Sequence, residues 1–343
     1  MGKKKLRPFV SICTPTFNRR PFIPISFEIF KNQNYPKNRL EWIIVDDGTD
    51  SIADLIESAN IPQIKYFRVN EKMSLGKKRN YMHSLISENS EYIIYFDDDD
   101  WYPHDRISHS IDMLEKNPSC LIAGSSELYC YFKPLNSNES PQLIQFGPYN
   151  ANHSTAGTFC FHRKLLSITR YDDSKELAEE KDFLKNYNIP LLQLNPLKTI
   201  LVFSHKHNTF DKRTLLTSMP NPFMKKSEKS IDMFFRKGHH IDEKIKHFFM
   251  EEIDELLLKY EPGEPKNKPN VLKQIVEINN EREKVIRESS NTNKFMTSKN
   301  GIPNQPVSFE EIQQIIHAQQ NKIDYLMVYI KELEHQIDIL QRP

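Results

Sequence analysis

No stretch of this 343-residue chain approaches the roughly 20 consecutive apolar residues that a bilayer-spanning helix needs. Nor does the apolar core of a signal peptide follow its charged start. The expectation is a soluble, cytoplasmic protein with no transmembrane segment. Charge of one sign is also missing: Lys+Arg 47 stand against Asp+Glu 46, a net charge of +1, so no nucleic-acid partner gripped mainly through its phosphates is expected. The only local basic run, Lys3 to Lys5 with Arg7, reads as a solvated terminus. The four cysteines, Cys13, Cys120, Cys130 and Cys160, form no C-x-x-C pair, which argues against zinc and dithiol chemistry and for buried free thiols. What the chain does have is 38% hydrophobic residues, enough for one large domain or two modest ones.

The first half alternates short apolar strands with amphipathic segments: FVSIC then 21–32, EWIIV then 50–59, IKYFRV then 75–87, and EYIIYF then 103–116. That rhythm predicts an α/β domain on a parallel sheet, whose ligands would bind beyond the carboxyl ends of the strands. The polar signals fall there, with Thr14 to Arg20 after strand one, Asp46 and Asp47 after strand two, and Asp97 to Asp100 after strand four. Further β-type segments follow near 120–132 and 197–204, the second ending at His205. The reading divides the chain into this domain over 1–219, an accessory helical region over 220–288, a flexible linker over 289–307 and a coiled coil over 308–341. In the last, Phe309, Ile316, Ile323, Ile330 and Ile337 fall at heptad position a, and Ile312, Gln319, Leu326, Leu333 and Leu340 at d. Ile at a with Leu at d favours a parallel homodimer, with a trimer as the alternative.

Four adjacent carboxylates at a strand end repel one another, and a metal ion, phosphate chemistry or plain solvent must offset them. Two carboxylates one residue apart suit a divalent ion bound to a nucleotide diphosphate, although an acidic run also caps helices, as Asp99 or Asp100 could ahead of Pro103. The other strand ends favour the first reading. Pro15, Phe17 and Asn18 form a loop in which an aromatic ring could stack on a base, and Asp46 could accept from a base imide. Arg79 opens a helix within reach of a nucleotide.

In that order and at that spacing, PTFNR, VDDGTD, GKKRN and DDDDWYP resemble the pattern of family 2 glycosyltransferases over roughly residues 8–215. The resemblance implies the GT-A fold, a Rossmann-like nucleotide-diphospho-sugar transferase domain, and a metal-dependent inverting transfer from a UDP-sugar to an acceptor hydroxyl on a glycan or protein. Residue by residue, it implies Thr14, Pro15, Phe17, Asn18, Asp46, Arg79, Asp97 and Asp98 for the nucleotide and donor, with Asp46 at the uracil imide and Phe17 against the base. Asp97, Asp99 and His205 would hold Mn²⁺ or Mg²⁺, with Asp99 a direct ligand and Asp97 shared between ribose and metal. Asp98 is the variable middle position. Asp47 and Asp100 are expected to orient neighbouring groups.

The family's acidic pair at the start of the acceptor-facing helix is matched by Glu179 and Glu180, so Glu180 is the expected base, with Glu179 and Asp182 as alternatives. Its H-G-x-N-T element is matched by His205 to Thr209, with Lys206 in place of Gly and His207 as a rival ligand. HSTAGTFCF (153–161) reads either as a wall beside the substrates, with Gly157 allowing close approach, or as a buried turn. The Asn-, Ile- and Lys-rich composition resembles glycosyltransferases encoded by large DNA viruses of protists, which would place the protein in a host cytoplasm or a virion. A nucleotidyltransferase would carry a glycine-rich phosphate loop that PTFNRR lacks, and an inactive sugar-nucleotide-binding module assembled through the coiled coil would not need the retained acids and His205.

Overall fold

The computed structural model describes residues 6–134, 139–208, 212–213, 216, 221, 223–292, 295–297 and 305–307, with individual residues between 314 and 333. A seven-stranded sheet in the order β3-β2-β1-β4-β8-β5-β9 forms the frame. Its parallel part is β3 (Ile64–Arg68), β2 (Leu40–Asp46), β1 (Val10–Thr16) and β4 (Tyr92–Tyr95). The sheet departs from the all-parallel expectation beyond β4. There β8 (Cys160–His162) runs antiparallel to both β4 and β5 (Ile122–Gly124), and β9 (Leu191–Gln193) is parallel to β5. A three-residue strand such as CFH has too little alternation for its direction to be read from sequence.

Side-chain alternation explains why the sheet is covered on both faces. Val10 and Ile12 of β1 with Trp42 and Ile44 of β2 join one buried cluster, and Cys13, Ile43 and Val45 join the other. On the first face, α1 (Ile23–Asn32) buries Ile23, Phe27 and Phe30, and the Phe30 ring stacks on Trp42 with centroids 4.9 Å apart. Next to it, α4 (Arg106–Lys116) buries Ile107, Ile111 and Leu114, while its buried Arg106 donates to the carbonyls of Thr158 at 2.6 Å and Phe159 at 3.1 Å. On the other face lies α3 (Leu75–Leu85), whose first turn is capped by the Ser74 hydroxyl accepting from the Lys77 N–H. The short α2 (Ala53–Ala59) connects β2 to β3.

A second sheet, in the order β10-β6-β7-β11, contains β6 (Leu128–Phe132), β7 (Gln142–Phe146), β10 (Leu201–Ser204) and β11 (Met224–Lys226). A bridge between Trp101 and Leu201 ties β10 to the acidic run.

The chain divides into two compact units, Met1–Ile275 and Val276–Pro343. Residues 220–275, expected as an accessory region, belong to the same unit as the α/β domain. Helix His240–His247 packs on α1, and Ile245, Phe249, Ile253 and Leu257 enter the first cluster. A helix over Pro269–Thr292 follows, and within the stretch read as a linker Phe295–Thr297 pairs antiparallel with Gln305–Val307. Of the heptad positions, Phe309, Ile312, Ile316, Ile337 and Leu340 lie outside the described residues, whereas Gln319, Ile323, Leu326, Ile330 and Leu333 are helical. All four cysteines are free thiols; Cys13, Cys130 and Cys160 are buried and Cys120 is half-buried. Among the described residues no helix is long and apolar enough to cross a membrane.

Candidate functional site

Parallel registry brings three strand ends to one edge. Thr16 pairs with Asp46, and Cys13 pairs with both Ile43 and Tyr95, so the loops that follow β1, β2 and β4 converge there. A cavity of about 340 Å³ opens at that edge, lined among others by Pro15, Phe17, Arg19, Arg79 and all four aspartates from Asp97 to Asp100. Thr155, Gly157, Lys72, Glu176 and Lys268 also line it. Gly157 is there because nothing larger fits: a Cβ on it would stand 2.6 Å from Asp97 Oδ2 and 3.3 Å from Ile200 Cδ1.

The four aspartates have distinct surroundings. Asp97 is 3.7 Å from Arg79 Nη2, and its backbone N–H donates to the Tyr102 hydroxyl at 2.7 Å; burial raises its carboxyl above the ordinary range, with Asp99 adding to the effect. Asp98 is buried and lies 3.6 Å from Arg19 Nε, while its Oδ2 has no hydrogen-bond partner among the described residues. Burial and the adjacent Asp99 push Asp98 up to about 7. Asp99 moves the other way. Although burial opposes its ionisation, Arg19 Nη2 at 3.1 Å and His205 Nε2 at 3.2 Å hold it well below the usual carboxylate range. Asp100 accepts from the Phe203 N–H at 3.3 Å, so it fastens β10, the strand that delivers His205.

The structure brings His205, rather than its rival His207, to Asp99. The His205 ring is buried against Phe22, and burial lowers its proton affinity to about 4, leaving the neutral imidazole that a metal requires. His207 is buried on the other side, next to Gly263 and 6.3 Å from the Tyr260 ring. Thr209 lies outside the described residues. A carboxylate oxygen and an imidazole nitrogen converging at 3.2 Å, beside the orphaned Asp98 Oδ2, suit a divalent cation such as Mn²⁺ or Mg²⁺. Among the described residues no group of three or more His, Cys, Asp or Glu side chains forms a ready-made cluster.

Of the residues expected to hold the nucleotide, Pro15, Phe17, Arg79, Asp97 and Asp98 line the cavity, and Thr14, Asn18 and Asp46 do not. Thr14 donates to the Phe96 carbonyl at 2.7 Å and accepts from Trp42 Nε1 at 2.8 Å, locking β1 to its neighbours. Asn18, at φ 53°, accepts from the Asp50 N–H and donates to the Pro262 carbonyl at 2.9 Å. Asp46 is fully engaged, accepting from the Gly48 N–H at 2.9 Å, the Tyr66 hydroxyl at 2.7 Å and the Ile52 N–H at 3.3 Å. Asp47 accepts from Lys78 and from the Met73 N–H, and so sets the approach to α3.

Arg79 is buried over the Tyr95 ring, with 4.3 Å to the centroid. Its Nε donates to Glu179 at 2.8 Å, and its Nη1 lacks a partner among the described residues. Glu179 is thus committed to Arg79. Glu180 opens the short helix α5 (Glu180–Phe183), and burial together with the charge of Glu179 raises it to about 7. It does not line the cavity. Asp182 is more exposed and lies 3.9 Å from Lys175.

Sequence reasoning missed Arg19, which clamps Asp98 and Asp99 and donates to the His207 carbonyl at 2.7 Å; its place directly after Asn18 was the available signal. It also missed Lys72, Lys78 and Lys268, whose ammonium groups stand 5.6, 6.0 and 5.8 Å from the Phe17 ring centroid. For Lys268, remote in sequence, there was no signal.

Residues 11–169 match the family described as Glycosyl transferase family 2. An uncharacterized glycosyltransferase of Haemophilus influenzae is 20% identical over 239 residues, 67% of this chain and 89% of that one. The GalNAc(5)-diNAcBac-PP-undecaprenol beta-1,3-glucosyltransferase of Campylobacter jejuni is 30% identical over 175 residues, 48% of this chain and 55% of that one. The chain thus spans about half the length of the Campylobacter relative. Among solved structures, the mannosyltransferase PcManGT from Pyrobaculum calidifontis in complex with GDP-Man and Mn²⁺ aligns with a TM-score of 0.47 at 13% identity, covering 63% of this chain and 66% of that one. The family match and the strand order together give the fold as GT-A.

Proposed function

We propose that this chain, with its family 2 segment over residues 11–169, is an inverting, metal-dependent glycosyltransferase that moves a sugar from a UDP-sugar to an acceptor hydroxyl on a glycan or protein. The observation that carries this reading is the meeting of Asp99 and His205 at 3.2 Å beside a cavity lined by Phe17 and Arg79. Asp97, Asp99 and His205 would hold Mn²⁺ or Mg²⁺, which when bound neutralises charge on the departing diphosphate. Arg79 faces the donor with an unused N–H and is held in place by Glu179. Glu180 accepts the proton of the acceptor hydroxyl as its oxygen bonds to the anomeric carbon. The bond from that carbon to the diphosphate oxygen breaks, and its electron pair leaves with UDP. A single displacement inverts the anomeric centre.

The exposed apolar face of the C-terminal helix supports assembly as a homodimer through a coiled coil. Ile323, Leu326, Ile330 and Leu333 are 52, 45, 47 and 39% exposed, so the four apolar seam positions among the described residues are open to a partner.

The direct test is release of UDP from a panel of UDP-sugars, with Mn²⁺ or Mg²⁺ and after chelation. Cation-dependent release with at least one donor is expected. Tight binding of the donors without turnover by the unaltered protein would instead identify a binding module.

A further inference from the structure

Four aromatic rings, none of them lining the cavity, stand in a row. Between ring centroids, Phe223 is 5.0 Å from Tyr149, Tyr149 is 4.4 Å from His153, and His153 is 5.1 Å from Tyr187. Phe223 and Tyr149 belong to neither buried cluster, and Tyr187 only borders the second. Phe223 is exposed and the other three are half-buried, while His153 Nδ1 has no hydrogen-bond partner among the described residues.

The row is tied to the site from two directions. His153 stands two residues before Thr155, which with Gly157 lines the cavity. Tyr187 follows α5, the helix that Glu180 opens. Burial, the charge of Glu180 and the nearby Tyr149 raise the Tyr187 phenol to about 12. Lys185, Asn186 and Tyr187 have φ of 49°, 55° and 62°, three consecutive residues with a Cβ in the left-handed region that favours glycine. The Ile189 N–H closes this turn by donating to the Leu184 carbonyl at 3.2 Å. Such strain persists only where the surrounding structure fixes it, and it concentrates at ligand sites. Here it sets a tyrosine ring against His153, within reach of the Glu180 charge.

We propose that Tyr149, His153 and Tyr187 form an acceptor subsite for a glycan, packing their rings on the C–H face of a sugar so that a hydroxyl of the glycan is presented to Glu180. The proposal rests on the reading of the chain as a glycosyltransferase with Glu180 as base, and it narrows the acceptor from glycan or protein to glycan. A tyrosine offers an apolar face with a polar tip, which matches a pyranose with C–H bonds on one face and hydroxyls around its rim. The His153 Nδ1 supplies a further hydrogen-bonding group for such a hydroxyl. A serine or threonine hydroxyl on a peptide brings no ring face to the row.

The test is saturation-transfer NMR of the full chain with a panel of methyl pyranosides and disaccharides, and with Ser- and Thr-containing peptides. It compares the unaltered protein with Tyr149→Ala, Tyr149→Phe and Tyr187→Asn, the last because Asn tolerates the left-handed backbone while removing the ring. At least one saccharide is expected to receive saturation at its ring C–H protons, with affinity weakened at least about tenfold by Tyr149→Ala and by Tyr187→Asn and retained in Tyr149→Phe. UDP affinity, read by calorimetry with Mg²⁺ on the same samples, should stay within about twofold. Thermal melting identifies a variant that does not fold, and the other ring-removing variant then decides. Binding of peptides without saccharides, binding of neither, or saccharide binding indifferent to both ring removals overturns the subsite; UDP binding by the unaltered protein then leaves the donor site standing. Failure of the unaltered protein to bind UDP removes the glycosyltransferase reading and the acceptor role of the row with it.

Discussion

Asp98 carries its charge at a cost to the metal-free fold. Its carboxyl is raised to about 7 by burial and by Asp99, against about 3.9 in an unfolded chain. The native state therefore binds the proton more readily, and stability attributable to this group falls as pH rises between those two values. Asp98→Asn is expected to raise the melting temperature of the metal-free protein at pH 8, by at least about 1 kcal/mol or roughly 2–4 °C, and the gain should shrink as pH is lowered toward 4. A gain that is the same at both pH values would mean that charge is not its origin. Glu180 has a similar displacement with a different consequence. Raised to about 7, it works as a base only when deprotonated, so the rate should climb through about pH 7 and level off above it. Glu180→Gln should lower transfer by about 10²–10⁴-fold with UDP affinity retained; full activity in that variant would move the base to Glu179 or Asp182.

Both acids stand in local acidic runs, so each was readable as a candidate from the sequence alone. Thr14, Asn18 and Asp46 were legible as polar residues at strand ends, but their partners were not. Tyr66, Ile52, Trp42 and Pro262 come from other strands and loops, and a short side chain that satisfies such donors and acceptors has little left for a ligand.

At the scale of elements, the strands before the acidic run were readable because each is a compact β-branched or aromatic run with its polar signal at the carboxyl end. The placement of β10 was not. It depends on the Trp101–Leu201 bridge and on Asp100 accepting from Phe203, two contacts about a hundred residues apart in sequence, and yet it carries His205 to Asp99. The C-terminal heptads are a case in which the periodicity is explicit and the proposed partner is a second chain. Leu326→Asp combined with Leu333→Asp should convert the proposed dimer to a monomer in light scattering and leave UDP release per chain within about twofold. A species of unchanged mass would exclude these positions from the association seam.

For the whole molecule, the motif order from Pro15 to Pro103 conveyed the domain, while the packing of residues 260–274 was invisible because Asp50, Asn18 and Glu176 meet that segment only once the chain has closed on itself. Asn18 and Asp50, which bond to Pro262 and Tyr260, come from the loops after β1 and β2, so those loops join the cavity edge to the distal chain. A ligand bound there should stabilise the entire first unit. With UDP and Mg²⁺ together at about 100 times their dissociation constant, a gain of about 2.7 kcal/mol is expected, readable as a rise in melting temperature. No shift at saturating concentrations of both would speak against a shared site.

The cavity wall is itself close to a neutral salt. Arg19, Lys72, Lys78, Arg79, Lys212 and Lys268 line it together with Asp97, Asp98, Asp99, Asp100 and Glu176, six formal cations to five formal anions. A sugar nucleotide with two negative charges would unbalance that array, and so would a lone divalent cation, but the two arriving as an electroneutral couple would not. Their association should therefore be synergistic, each ion acting as the other's counterion in a medium that tolerates little net charge. Titrated separately, UDP and Mg²⁺ should each bind markedly more weakly than either does in the presence of the other.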